Sequence, residues 1–124
     1  MRRLASLAAL LALASLSACG PTPPQAPLEQ AKKLDSATSG ISTACGLSSQ
    51  VTAFPPVDHK ALGTLDATAT EDARKLARVF ARNPNWIYQG ETVRQIVKDS
   101  LTALDACGLH GAAGTLRART SGRS

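Results

Sequence analysis

Apolar residues recur every three or four positions in three stretches of the chain, a period that is typical of amphipathic α-helices. The first stretch begins just after Pro27, where a proline suits the start of a helix. It ends at Gly46, a residue suited to the left-handed position that follows a helix. The pattern therefore predicts a first helix between these two residues, with an apolar stripe of Leu28, Ala31, Leu34, Thr38, Ile41 and Cys45.

The second stretch starts after Asp58, which is placed to cap a helix, and Asn83-Pro84 predicts its end. Gly63 costs a helix about 1 kcal/mol, and Thr68-Ala69-Thr70-Glu71 has the spacing of a second capping box. The pattern therefore leaves open one continuous helix or two helices broken near Ala67. The apolar stripe contains Leu62, Leu65, Ala69, Ala73, Leu76 and Phe80.

The third stretch repeats the design of the first. Thr92 and Gln95 have the spacing of a capping box, and Gly108 is placed to end the helix. Its stripe contains Val93, Ile96, Val97, Leu101, Leu104 and Cys107. Because no comparable strand pattern stands out, the sequence predicts an all-α fold.

The N-terminus has the organisation of an export signal. Arg2 and Arg3 form a basic patch, and an apolar run of leucine and alanine with two serines extends from Leu4 to Leu16. The run is too short to span a membrane, which takes about 20 apolar residues. We therefore expect this segment to be removed after export.

Leu16-Ser17-Ala18-Cys19 resembles the lipobox of bacterial lipoproteins, in which a leucine and two small residues precede the modified cysteine. The resemblance implies that residues 1–18 are a lipoprotein signal peptide and that Cys19 carries the lipid. Two or three acyl chains give a stable anchor where one does not. The alternatives are plain secretion, since small residues also fit an ordinary cleavage site, and twin-arginine export, which the residues around Arg2-Arg3 do not support.

If Cys19 is lipidated, Cys45 and Cys107 are left as an even pair in an exported, oxidising compartment. Both cysteines fall at the predicted C-terminal end of a helix. In an up-down-up bundle of three helices the first and third run parallel, so these ends meet. The sequence therefore predicts a small three-helix bundle over 28–110, stapled by a Cys45–Cys107 disulfide that stabilises it by about 4 kcal/mol.

The two flanking segments are predicted to lie outside the domain. Residues 19–27 are proline-rich and predict a stiff spacer next to the membrane, and residues 111–124 predict a flexible basic tail. The formal net charge is +5; Arg2 and Arg3 account for two of these charges, and three tail arginines, Arg117, Arg119 and Arg123, for the others. The positive and negative charges of the predicted domain are therefore equal in number, which argues against nucleic-acid binding.

The expected partners are the membrane, through the lipid, and another envelope protein or a cell-wall polymer. The expected location is the exported face of the cell membrane or of the outer membrane. Gly20 after the cysteine resembles, in bacteria with two membranes, lipoproteins that are passed on to the outer membrane.

Few residues are suited to catalysis. Cys45, His59, Cys107 and His110 can be drawn as a zinc site, but they lack the paired spacing of such sites, and oxidised cysteines do not bind metal. Tyr88 with either histidine can be drawn as a haem ligand pair, without a supporting motif. We therefore expect no enzyme activity, no metal and no cofactor.

Trp86-Ile87-Tyr88 concentrates large residues in a chain with only four aromatic side chains. Trp86 and Tyr88 are candidate partner contacts, because such residues often anchor protein interfaces. The alternative is that they plug one end of the bundle, with Phe54 plugging the other. The predicted function is a binding or structural module of the envelope; the alternative is a carrier or sensor of a small apolar ligand held between the helices.

Overall fold

The structure is a computed structural model that describes residues 24–121. Within that range it contains four helices and one short hairpin: α1 (Leu28–Ala53), α2 (His59–Arg82), β1 (Ile87–Tyr88), β2 (Glu91–Thr92), α3 (Val93–Ala106) and α4 (His110–Thr120). The predicted helical fold is confirmed. The predicted three-helix bundle is corrected, because a fourth helix packs on α2 and α3.

Helix α1 continues through Gly46 to Ala53, so its predicted end at Gly46 is wrong. Ser48, two residues further on, is fully buried, and its hydroxyl donates a 2.7 Å hydrogen bond to the carbonyl of Cys107. This tertiary contact opposes the cost of about 1 kcal/mol that a glycine brings to a helix. Leu28 is 72% exposed, and the buried face instead follows Leu34, Ala37, Ile41 and Ala44.

Helix α2 is continuous, so the arrangement with a break near Ala67 is not adopted. Asp58 caps it as predicted, because its carboxylate accepts hydrogen bonds from the amides of Lys60 and Ala61 at 3.1 and 3.0 Å. The second half is the better buried part and contributes Ala69, Ala73, Leu76 and Phe80 to the core.

Helices α1 and α2 run antiparallel. Lys75 Nζ donates a 3.1 Å hydrogen bond to Ser36 Oγ, and Asp72, one turn earlier on α2, faces Gly40, one turn later on α1. A Cβ atom at Gly40 would lie 2.2 Å from Asp72 Oδ2. The absence of a side chain at Gly40 therefore lets Asp72 approach the α1 backbone.

A tight hairpin connects α2 to α3, with Ile87 opposite Thr92 and Tyr88 opposite Glu91. The segment before α1 pairs with it: Ile87 N donates to Pro24 O, and Ala26 N donates to Ile87 O, both at 2.9 Å. The predicted spacer is therefore wrong for residues 24–26. Prolines are compatible with this pairing, because Pro24 contributes only its carbonyl oxygen.

Helix α3 begins as predicted, because Thr92 Oγ1 accepts a 3.1 Å hydrogen bond from Gln95 N. The Gln95 side chain donates to Asp99 at 2.9 Å, so the reciprocal half of the predicted capping box is not formed. Gly108 has a φ of 84° just after the helix, the left-handed conformation that favours glycine.

Residues 111–120, predicted to belong to the flexible tail, form α4 together with His110, so that prediction is wrong for this segment. No side chain of its own caps the helix; instead Asp66 of α2 accepts hydrogen bonds from Gly111 N at 3.1 Å and Ala112 N at 2.9 Å. One face is fully buried against the rest of the fold and consists of Leu109, Ala112, Ala113 and Leu116.

Candidate interaction surfaces and the disulfide

The predicted disulfide between Cys45 and Cys107 is present, with 5.4 Å between the two Cα atoms. It joins the middle of α1 to the residue that follows α3. At the other end of α3, Tyr88 in the preceding hairpin bonds to Asp35, nearer the start of α1. The two helices therefore run parallel, as the predicted topology requires.

The zinc arrangement drawn from the sequence is excluded, because both of its cysteines are consumed by the disulfide. His110 Nδ1 instead lies 3.5 Å from Asp105 Oδ1, and Tyr88, the proposed haem ligand, donates its hydroxyl to Asp35. Within the described range, no group of three or more His, Cys, Asp or Glu side chains is arranged to hold a metal ion.

Trp86 and Tyr88 are half-buried and pack against the core. The Tyr88 hydroxyl donates a 3.0 Å hydrogen bond to Asp35 Oδ1. Partial burial, then the bond to Asp35, raises the pKa of Tyr88. Both residues thus brace the hairpin against the bundle, the arrangement expected of a plug; their role as partner contacts stays a prediction.

Phe54, expected to plug the opposite end, is 80% exposed, so that expectation is wrong. A groove of about 500 Å³ lies between the end of α1 and the start of α2. Leu47, which lines the groove, is 43% exposed. The other lining residues are Val51, Asp58, Lys60, Ala61, Thr64 and Leu65. We call the apolar members, Leu47, Val51, Ala61 and Leu65, together with Phe54, which directly follows α1 in the chain, the distal apolar surface.

A second groove, of about 360 Å³, lies between the start of α1 and the end of α2. Ser36 and Glu29 also line it. We call this area the basic groove, after its four cationic side chains, Lys32, Lys33, Lys75 and Arg78. No local pattern in the sequence predicts this groove, because its residues come together only through the antiparallel register of the two helices.

A third groove, of about 380 Å³, lies between α1 and α3 beside the disulfide. Glu91 and Asp99 lie on its wall, and partial burial together with a hydrogen bond to Asp99 raises the pKa of Glu91. Like the other two, this groove opens to solvent along one side. It does not form the closed chamber expected of a carrier, and the carrier function stays a prediction.

The predicted signal peptide at 1–18, the predicted lipidation site Cys19 and Arg123 lie outside the described residues. Among residues 24–121, no helix has the length and apolar character needed to cross a membrane. Comparison of the chain with protein-family models, curated proteins and solved structures finds no match.

Proposed function

We propose that this chain is a lipid-anchored envelope protein that acts as a binding or structural module rather than as an enzyme. The leader and Leu16-Ser17-Ala18-Cys19 support the anchor. The place where the chain joins the fold gives the anchored protein an orientation. Pro24 is hydrogen-bonded to the hairpin at the end of the bundle where α1 begins, so the tether leaves from that end.

The observation that carries the binding role is the distal apolar surface. It lies near the far end of α1, because Leu28 and Val51 are separated by 23 residues, or about 35 Å at 1.5 Å per residue. The anchor thus holds one end of the bundle, and the exposed Phe54 lies at the other. Exposed apolar patches of this kind often mark protein contacts.

A photo-crosslinking amino acid at position 54 tests this role in intact cells. The matched control places the same amino acid at Thr102, an exposed position on α3. We expect a discrete adduct with one envelope protein from position 54, absent from position 102 and lost when Leu47→Ser is added. The same adducts from both positions, or none from position 54, would contradict the proposed contact.

A further inference from the structure

The two ends of the α1–α2 pair differ in charge as well as in polarity. The basic groove places four cations at the end where Pro24 joins the fold, whereas the distal apolar surface lies at the other end. Lys32 and Lys33 are within the first two turns of α1. They therefore lie about 8 Å or less along the helix axis from its first residue.

The cations of the basic groove are only partly compensated by neighbouring carboxylates, since the charge of Lys75 also acts on Asp72. Within residues 24–121, none of the four forms an ion pair with another described side chain. Lys75 is held toward α1 by its hydrogen bond to Ser36. Glu29 is the one carboxylate among the groove's lining residues. The groove therefore has an excess of positive charge that an external anion can neutralise.

The chain length restricts how far this charge is from the proposed anchor. Four residues lie between Cys19 and Pro24, and even a fully extended chain spans at most about 18 Å over these five Cα–Cα steps. A lipid on Cys19 therefore keeps Pro24, which joins the fold at the end where α1 begins, within about 18 Å of the lipidated residue. Basic side chains near an anionic bilayer are attracted to it over roughly one Debye length, about 10 Å at 0.1 M salt.

Resting on the proposed lipid anchor, we infer that the basic groove binds the phosphate groups of anionic phospholipids in the membrane that holds the protein. The lipid supplies the tether, and the groove fixes which face of the bundle meets the headgroups. α1 and α2 then carry the distal apolar surface away from the bilayer. The partner is a lipid surface that contains phosphatidylglycerol, because this headgroup carries a net negative charge. The phosphatidylcholine headgroup has no net charge.

Lysine acetylation tests this contact on the protein as it is purified from membranes. The protein is placed in vesicles of phosphatidylcholine alone or mixed with phosphatidylglycerol, treated with a water-soluble acetylating reagent, and digested for mass spectrometry. We expect Lys32, Lys33 and Lys75 to react about threefold or more slowly in the anionic vesicles. Lys60 and Lys98, outside the groove, serve as controls and should react equally in both.

Two further arms make the result specific. About 1 M salt, which shortens the Debye length to about 3 Å, should remove the protection. The double variant Lys32→Glu/Lys33→Glu should abolish the protection of Lys75, whereas Lys60→Glu/Lys98→Glu, with the same change in net charge, should leave it intact. Equal protection of all lysines, or protection by inorganic phosphate in vesicles of phosphatidylcholine alone, would overturn the inference.

The failure of this inference and of the proposed anchor are separable. The intact mass of the same sample reports whether lipid is attached. A lipidated protein without lysine protection contradicts the basic groove alone. A lipid-free protein contradicts the anchor; adding it to the same vesicles then tests the groove directly, where equal lysine reactivity in both vesicle types would also overturn the headgroup contact.

Discussion

Replacing Asp66 with alanine leaves the first amides of α4 without their acceptor. The carboxylate belongs to α2, yet it accepts from Gly111 N and Ala112 N, 45 and 46 residues away in sequence. Ala112 is fully buried, so water does not readily replace the lost bond. The change therefore tests whether α4 is held to the bundle by this contact.

The expected loss follows from the two bonds. A hydrogen bond to a charged group contributes about 1.5–3 kcal/mol, and replacing a helix N-cap by alanine costs about 0.5–2 kcal/mol. Since both bonds share one half-buried carboxylate, they are not additive, and we expect Asp66→Ala to cost about 2–3 kcal/mol. At a urea slope of about 1.5 kcal/mol/M, the unfolding midpoint falls by about 1.3–2 M.

A double-mutant cycle with Gly111 gives a sharper test, measured by urea unfolding with the fluorescence of Trp86. A Cβ atom at Gly111 would lie 2.3 Å from Asp66 Oδ2, so Gly111→Ala should destabilise the wild-type protein. Once Asp66 is alanine, the same change should stabilise by about 0.5–1 kcal/mol, because alanine is the better helix former. Gly114→Ala, whose Cβ meets no neighbour, should stabilise both backgrounds equally.

Two results would refute the capping role of Asp66. One is a loss smaller than about 0.5 kcal/mol for Asp66→Ala, within the range of ordinary surface substitutions. The other is a Gly111→Ala change that stabilises the wild-type protein as much as Gly114→Ala does. Amide hydrogen exchange in α4 then shows whether the helix has detached from the bundle or still packs without the cap.

Three further predictions concern the disulfide, the buried amide of α1 and an ion pair between α3 and α4. Cys45→Ser with Cys107→Ser should lower the free energy of unfolding by about 4 kcal/mol in the chain-entropy model, because the disulfide spans 62 residues; a loss below about 1 kcal/mol in urea unfolding would contradict this. Gln30 is buried with its Oε1 unpaired among residues 24–121, so Gln30→Leu should stabilise by about 1 kcal/mol, and a lower melting temperature would show that the amide is satisfied. The hydrogen bond and the charge of Arg117 lower the pKa of Asp105 below its usual 3.8, and they outweigh the opposing effect of burial. The contact therefore stabilises the folded protein above pH 3.8. This stabilisation is lost as the pH falls through the lowered pKa of Asp105. The difference in melting temperature between wild type and Arg117→Ala should therefore be constant at neutral pH and shrink in acid; a constant difference down to pH about 2 would contradict the assignment.

The starts of α2 and α3 could be predicted from local signals. Asp58 and Thr92 cap the helices that follow them, because their acceptors lie within three residues of the amides they bind. The disulfide was predicted by a different argument. Cys45 and Cys107 are an even pair once Cys19 is set aside, and the first and third predicted helices run parallel.

The errors arose where a distant contact decides the structure. Gly46 is a plausible helix end by itself, but Ser48 beyond it is buried against the carbonyl of Cys107. Residues 110–120 contain glycines and arginines, yet their buried positions, Ala112, Ala113, Leu116 and Thr120, do follow a helical period. That period was visible, whereas the cap from Asp66 was not, because it comes from another helix.

The candidate surfaces likewise depend partly on local sequence and partly on contacts between distant residues. Trp86 and Tyr88 stood out in the sequence as large aromatic residues, but only the fold shows that the Tyr88 hydroxyl is used by Asp35. The basic groove needs the register in which Lys75 faces Ser36, which no local pattern contains. Phe54 was expected to plug the end of the bundle, but the fold leaves it exposed.

The central claim, a lipid-anchored and disulfide-stapled envelope module, is tested most directly by the intact mass of the protein extracted from membranes. The measurement is made with and without reduction and alkylation. The account predicts the mass of residues 19–124 plus a diacylglyceryl group, with Cys45 and Cys107 alkylated only after reduction. A lipid-free mass would contradict the anchor, and alkylation of either cysteine before reduction would contradict the staple.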